Sequence, residues 1–392
     1  MPEAVIVDAV RTPIGRFGGG LLEHSAADLG THVVKALLDR NAVPGDAVAE
    51  VIFGQVLQAG CGLNIARTLA LAAGLPVSVC ASTVNVACAS GMKAVDLARD
   101  AILLGKGDLF IAGGTESMSN APFYATDLRW GHKLGSVTLK DAVMDEGLTC
   151  PVTSLGMGLT AEGIAGRTGI TREDQDAWAL RSQQRALAAI AEGRFADEIV
   201  PVPRRKDPPL TADEHPRETS LEALAKLRPA FKPDGTVTAG NASGINDGAA
   251  ALLIAEQAFA AAQGWQARAR IVGAACAGIE PEVMGLGPIN AVRKLCAQLG
   301  LKPQDFDLIE LNEAFAVQAL AVVRDLGLDP ERVNVNGSGI ALGHPLGASG
   351  ARIVVSLLHE MEKRDARLGL ATLCVGGGMG YAMVIERGSS FL

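Results

Sequence analysis

The chain has 392 residues, 48% of them hydrophobic and 20% charged, enough apolar material for two or three domains with buried cores and too much for a disordered chain. A formal net charge of −8 argues against general nucleic-acid binding and against an anionic membrane surface. Seven cysteines, an odd number without close pairing, fit free thiols in a reducing compartment, so a cytoplasmic protein is expected.

The start, Met1-Pro2-Glu3-Ala4-Val5, has no basic segment ahead of a long apolar run, and no signal peptide is expected. Val5 to Val10 reads as a short buried strand, ended by Arg11-Thr12-Pro13 and the loop Gly18-Gly19-Gly20. Asp28 to Arg40 has helical spacing, with Leu29, Val33, Ala36 and Leu37 on one side and Pro44-Gly45 as a stop. Val51 to Val56 is a second buried strand.

From Thr68 to Met92 no charged residue appears. The run is long enough to span a bilayer, but Pro76, Ser78, Ser82, Thr83, Asn85 and Ser90 interrupt it, which rejects a membrane helix. It leads into Val84-Asn85-Val86-Ala87-Cys88-Ala89-Ser90-Gly91. After that, Gly91, Val95, Ala98 and Ile102 fall on one side and Lys93, Asp96, Arg99 and Asp100 on another. That is the period of a mostly buried helix with one wet face. Cys88 therefore sits where a buried strand or loop enters a helix. Unpaired N–H groups and the dipole there favour thiolate, so the thiol is expected below its free value of roughly 8.5. The competing reading is a small buried hydrophobe.

Leu109 to Gly114 is a strand running into glycines; from Asn120 the character changes. Residues 120 to 240 are more charged and hold the proline-rich patch from Pro201 to Pro209. Seven basic against five acidic side chains lie between Arg204 and Lys232, a run that reads equally as a solvated surface. One clear helix runs from Arg172 to Glu192, with Thr171 and Asp174 spaced as a capping box. After Ala269 the early pattern returns, with strands at Arg270 to Gly273, Asp307 to Leu311, Val333 to Val335 and Leu368 to Val375.

This return is a repeat. Ala89-Ser90-Gly91 matches Ala348-Ser349-Gly350 at an offset of 348 − 89 = 259, Ile52 matches Ile309 at 257, and Gly113-Gly114 matches Gly376-Gly377 at 263. A period this long means a duplicated α/β unit and not a solenoid. The expected organisation is 1–119 as the first half of a duplicated core, 120–240 as an inserted loop domain, 241–268 as the return to the first half, and 269–392 as the second half.

Two such halves packed about a pseudo-twofold would bring matching helix entries and strand ends together. The reactive residues at those places are Cys88 in the first half and Asn312, His344 and Cys374 in the second. His344 lies among glycines with Pro345 behind it, a frame that suits an imidazole serving as base to a thiol. The alternative is a structural histidine. Gly337-Ser338-Gly339 fails as a dinucleotide fingerprint, since its third glycine comes one position late and His344-Pro345 follows where a helix should start. No P-loop, Cys-x-x-Cys, His-Glu-x-x-His or Gly-x-Ser-x-Gly sequence is present, and no metal site is expected.

From Arg11-Thr12-Pro13 to its end the chain resembles a thiolase. The blocks that carry the resemblance are Cys88-Ala89-Ser90-Gly91, Gly240-Asn241-Ala242-Ser243-Gly244, Asn312-Glu313-Ala314-Phe315, Ala341-Leu342-Gly343-His344-Pro345 through Gly350, and Cys374-Val375-Gly376-Gly377-Gly378. It implies the duplicated thiolase-type α/β/α/β/α layered fold, with an inserted loop domain for coenzyme A. It further implies that Cys88 carries an acyl thioester, that His344 activates it, and that Cys374 handles the α-proton of a second acetyl-CoA. The N–H groups of Cys88 and Gly376 resemble the family's first oxyanion hole; His344 and a water held by Asn312 resemble the second. Ser243 matches a residue at the pantetheine arm, Arg217 one near the nucleotide phosphates, and Met157 faces the acyl pocket. No cofactor is implied, coenzyme A being substrate and product.

Two departures stand out. Ala89 replaces the glycine that usually follows the nucleophile, adding a methyl beside the thiol. Leu155-Gly156-Met157-Gly158 lacks the histidine that acetoacetyl-type members carry before Met-Gly, which loosens four-carbon specificity. Pointing the other way, Trp130 to Thr149 resembles the tetramerisation loop of acetoacetyl-type members, so a homotetramer, a dimer of dimers, is expected. The sequence thus reads as an acetyl-CoA C-acyltransferase acting on acetyl-CoA and 3-ketoacyl-CoA. The alternatives are a degradative thiolase for longer chains, a decarboxylating condensing enzyme and a non-catalytic acyl-CoA carrier. Condensing enzymes use Cys-His-His or Cys-His-Asn, which the second cysteine disfavours; four intact reactive side chains disfavour the carrier.

Overall fold

The computed structural model describes residues 2–388. First in the chain come β1 (Ala4–Arg11), the short β2 (Gly15–Arg16), α1 (Ala26–Asn41), β3 (Glu50–Gly54), α2 (Ile65–Ala72), β4 (Cys80–Val84), α3 (Ser90–Leu103) and β5 (Leu109–Ser117). A hairpin of β6 (Phe123–Tyr124) and β7 (Lys140–Asp141) follows, then α4 (Met157–Thr168), α5 (Arg172–Ala191) and α6 (Leu221–Ala225). The chain returns through β8 (Asn246–Glu256) and α7 (Gln257–Ala262). It closes with β9 (Ala269–Gly278), α8 (Gly287–Leu299), β10 (Leu308–Leu311), α9 (Ala316–Leu326), α10 (Gly339–Leu342), α11 (Leu346–Lys363), β11 (Leu368–Val375) and β12 (Met379–Glu386).

The main strands form one path, β10-β11-β12-β9-β1-β8-β5-β3-β4. Its two ends repeat one topology. β3 lies parallel to β4 and β5, β5 is antiparallel to β8, and β8 is antiparallel to β1. In the other half β10 is parallel to β11, β11 antiparallel to β12, and β12 antiparallel to β9. The halves join where Val5 and Ile6 of β1 pair with Arg270 and Ala269 of β9.

Two details of the repeat need correction. Ala112 stands beside Ile52, and Leu370 beside Ile309, an offset of 370 − 112 = 258. Gly113-Gly114 therefore lies inside β5, whereas Gly376 follows the end of β11, and the glycine match at 263 does not hold. Nor do Val333 to Val335 form a strand. Val333 makes one parallel bridge to Ile309, and then Asn334 takes a φ of 51° and turns its side chain onto the N–H and carbonyl of Leu311.

Alternation along the strands builds the layers, because successive side chains point to opposite faces. Ala4, Ile6 and Ala9 of β1 share one core with Met92 and Val95 of α3, Val354 and Leu357 of α11, and Leu373 and Met383 of the second half. Val5, Val7 and Val10 face the other way, onto Leu29 and Val33 of α1 and Leu69 of α2. In the second half Leu370 and Val384 face away onto Val292 and Leu295 of α8 and Val322 of α9. The order is thus α1/α2, sheet, α3/α11, sheet, α8/α9, the layered α/β/α/β/α fold. Each fully buried aliphatic side chain of the central layer contributes about 1.5–3 kcal/mol. The repeated Ala-Ser-Gly brings the two central helices together at their first turns. A Cβ on Gly91 would lie 2.8 Å from Ala351 N, and one on Gly350 would lie 2.6 Å from Met92 N.

Residues outside the layers are tied down by buried charge. Arg11 donates to Glu198 at 2.6 Å and to both oxygens of Asp213 at 2.6 and 2.9 Å, so the charged stretch around Asp213 is partly interior. The capping box at Thr171 and Asp174 starts α5, and an equivalent one at Ser25 and Asp28 starts α1 two residues before the sequence pattern placed it. β4, read as buried, is an edge strand beside β3, with Cys80 exposed and the rest half-buried. On the hairpin Trp130, Leu134, Val137 and Leu139 are exposed, as is Met144 beyond β7. Val143 differs: it is buried against Val56, Leu57, Met118 and Leu346. No helix among the described residues is long and apolar enough to cross a membrane.

Candidate active site

The turn from β4 into α3 is held in a conformation that side chains rarely adopt. Ala87 has a φ of 43°, a left-handed geometry that costs a non-glycine residue on the order of 1–3 kcal/mol. Ser90 supports it, accepting the Val86 N–H at 2.9 Å and donating to the Ala87 carbonyl at 2.6 Å. Asn85 Oδ1 accepts the Ala87 N–H at 3.0 Å. Cys88 rides on this turn, half-buried, one residue before the Ala89 cap of α3.

The thiol does not behave as its position suggested. Burial pushes it up, to about 11, against the N–H groups of Gly376 and of Cys88 itself, and the Glu116 carboxylate pushes it further the same way. The dipole does not offset desolvation here, since α3 begins at Ser90 and its field falls off within the first turn. Cys88 rests as a neutral thiol, so it needs a base.

The second half offers an imidazole. Gly343 has a φ of 107°, and a Cβ there would lie 2.6 Å from Asn246, so the residue ahead of His344 has to be glycine. Asn246 Oδ1 accepts the His344 N–H at 3.0 Å. Ser349 donates to the Pro345 carbonyl at 2.8 Å, which leaves its lone pairs for His344 Nδ1 at 2.6 Å. The proton is thereby fixed on Nδ1 and Nε2 is free to accept. Burial, and then the Arg352 guanidinium, hold the imidazole down, to about 3. It is neutral at any ordinary pH.

Asn312 and Cys374 complete the cluster. Asn312 Nδ2 lies 3.4 and 3.5 Å from the two ring nitrogens of His344, and its buried Oδ1 has no hydrogen-bond partner among the described residues. Next to it, Glu313 is anchored by Trp178 Nε1 at 2.9 Å, Ser182 Oγ at 2.6 Å and Asn334 Nδ2 at 3.0 Å. Cys374, near the end of β11, is buried with Met284, Ala314 and Phe315, and Met157 packs on that cluster. Burial and then the nearby Cys88 thiol push its thiol far up. A Cβ on Gly376 would lie 3.6 Å from Met157 Sδ and 3.9 Å from Ala87 Cβ, so the turn after β11 closes over the Cys88 turn. Leu346, two residues past His344, packs in the cluster that Cys88 rests on.

Cys88, His344, Cys374, Asn312, Gly376 and Met157 therefore converge. Ser243 and Arg217 lie beside them on neighbouring segments. The Ser243 N–H donates to the Ala314 carbonyl at 2.9 Å. The exposed Arg217 reaches the Ala239 carbonyl and His215 Nε2, each at 3.4 Å. The His215 ring covers Gly244, where a Cβ would lie 2.4 Å from its Cε1. Ser90, Asn246, Ser349 and Glu116 escaped the sequence reading. The repeat did carry a signal for one pair, since 349 − 90 = 259 makes Ser90 and Ser349 counterparts at the two helix entries. No group of three or more His, Cys, Asp or Glu among the described residues is placed to hold a metal ion.

Family models match both halves of the chain. The thiolase N-terminal domain matches residues 4–258 and the thiolase C-terminal domain matches residues 265–387. An acetyl-CoA acetyltransferase of Chromobacterium violaceum is 54% identical over 98% of this chain and 100% of its own length. One from Pseudomonas aeruginosa is 52% identical over 99% and 100%. The crystal structure of the Bacillus anthracis acetyl-CoA acetyltransferase superposes with a TM-score of 0.96 at 46% identity, covering 98% of this chain and 99% of that one. Human mitochondrial 3-ketoacyl-CoA thiolase does so with 0.96 at 42% identity, covering 99% of each. With both halves matched and its relatives covered end to end, this chain belongs to the thiolase family.

Proposed function

We propose that this acyltransferase condenses two molecules of acetyl-CoA to acetoacetyl-CoA and coenzyme A, and runs the reverse thiolysis, through an acetyl-Cys88 thioester. What carries the reading is the approach of two thiols, one from each half, with a neutral imidazole two residues from the Leu346 of the cluster on which Cys88 packs. His344 Nε2 takes the Cys88 proton as sulfur attacks the thioester carbonyl. The oxyanion falls to the N–H groups of Cys88 and Gly376, and coenzyme A leaves as a thiolate while His344 keeps the Cys88 proton on Nε2. The departing thiolate takes the proton of the Cys374 thiol, and Cys374, now the thiolate, removes the α-proton of a second acetyl-CoA. Its burial makes that thiolate a strong base, as a weakly acidic C–H requires. The enolate oxygen is held by the Nε2–H of the protonated His344 and by a water on Asn312, whose unpaired Oδ1 supports that role. The carbanion attacks acetyl-Cys88, the C–C bond forms, and the Cys88 thiolate leaves and takes back the proton of His344.

Ser243 would line the pantetheine arm and Arg217 the nucleotide phosphates. No step runs through a metal or cofactor. The names of the relatives, acetyl-CoA acetyltransferase, support acetyl-CoA as the main substrate. The test is thiol-dependent loss of the magnesium–acetoacetyl-CoA absorbance on adding coenzyme A; no loss with folded protein would rule the reading out.

Longer chains are expected to be accepted as well. Gly156 caps α4 beside Met157, and a Cβ there meets nothing nearer than Leu148 O at 3.9 Å, so the pocket wall has room. Each methylene that finds apolar cover contributes up to about 0.8 kcal/mol. Cleavage of 3-ketohexanoyl-CoA should approach that of acetoacetyl-CoA in kcat/KM, and Gly156→His should depress the longer substrate selectively. Wild-type activity confined to acetoacetyl-CoA would show that other residues close the pocket.

A homotetramer, a dimer of dimers, is the assembly we propose. Two separate surfaces support it: the uncharged edge strand β4, a ready template for pairing, and the exposed apolar tip of the hairpin. Deleting residues 128–137 spares the β6–β7 pairing and Val143 and should reduce the light-scattering mass from tetramer to dimer. A wild-type dimer at micromolar concentration would contradict this.

A further inference from the structure

Glu116 has no part in the steps above, yet it is wholly buried near the end of β5 beside them. Three backbone N–H groups converge on its carboxylate: Val56 at 3.0 Å and Gly347 at 2.8 Å on Oε2, and Leu57 at 3.2 Å on Oε1. Val56 and Leu57 follow β3 in the first half. Gly347 belongs to the first turn of α11 in the second half, three residues past His344. Its N–H is among those that a helix start leaves unpaired, and negative charge is favoured at that end. The same segments supply Val56, Leu57 and Leu346 to the apolar floor on which Cys88 rests. Gly347 has no slack: a Cβ there would lie 2.8 Å from both Gln55 Cα and Thr115 O.

We propose that Glu116 is a positioning residue, whose carboxylate clamps the loop after β3 to the first turn of α11 and so sets Cys88 and His344 in register. The inference rests on the reading that Cys88 takes the acyl group and His344 its proton. Only a carboxylate serves three converging donors on two oxygens; an amide would turn an N–H toward one of them and leave it unpaired.

Glu116→Gln keeps the shape and removes that capacity. It is expected to fold and to keep KM for acetyl-CoA within about threefold, while the single-turnover acetylation of Cys88 slows about tenfold or more, the scale of a small misplacement of reacting groups. A brace for stability alone would lower the thermal midpoint and leave the rate per folded chain unchanged. Glu116→Asp keeps the charge but shortens the reach, and its acetylation rate should fall between the two. Wild-type acetylation rates in both variants overturn the inference. So does failure of both to fold, which would make Glu116 a brace of the fold and no more. The acyl-storage reading fails separately, if wild-type Cys88 takes no acetyl group, and the inference falls with it.

Discussion

Cys374→Ser is expected to form the acetyl-enzyme at close to the wild-type rate yet to lose condensation and α-proton exchange about a hundredfold or more, the usual scale for deleting an acid–base group. The two thiols lie near enough for one to act on the other, so the division of labour between them has to come from their surroundings. Cys88 sits under the N–H groups of Gly376 and Cys88, which suit an oxyanion on the thioester carbonyl. Cys374 sits among Met284, Ala314 and Phe315, where an apolar wall raises the basicity of its thiolate. A serine in that wall is too weak a base for the C–H, but it leaves the first half-reaction untouched. Loss of acetylation with exchange retained would mean that the roles are reversed.

His344→Asn should change the pH dependence as well as the rate. In the wild type the Cys88 proton passes to an imidazole held near 3, so acetylation should vary little between pH 6 and 9. Without that acceptor the thiol has to ionise into solvent, and burial holds it up at about 11. Acetylation by the variant should therefore be about a hundredfold to ten-thousandfold slower at neutral pH. It should climb about tenfold per pH unit toward that value, because the thiolate fraction rises in that proportion. A variant that is equally slow at pH 7 and pH 9 would mean that His344 orients the substrate and does not take the proton.

The reactive residues were legible because each sits in a sharp local frame: Cys88 ahead of Ala89-Ser90-Gly91, His344 between Gly343 and Pro345, Cys374 ahead of Gly376. The duplication was legible from Ala-Ser-Gly, which recurs because both central helices cross through their glycines. The state of the Cys88 thiol was not, since desolvation is set by Val56, Leu57 and Leu346, which are remote in sequence. Nor was Glu116: its partners are backbone N–H groups, which every residue but proline carries. Val333 misled for a related reason, since one side chain on its neighbour, Asn334, ended the ladder. Val143, within the stretch from Trp130 to Thr149, was not legible either, since its partners belong to both halves.

The central claim is that Cys88 stores the acyl group, and intact mass tests it most directly. Wild-type protein mixed with acetyl-CoA and quenched in acid should gain one acetyl group per chain, released on adding coenzyme A, and Cys88→Ala should gain none. An acetyl adduct of undiminished yield in Cys88→Ala would contradict the account.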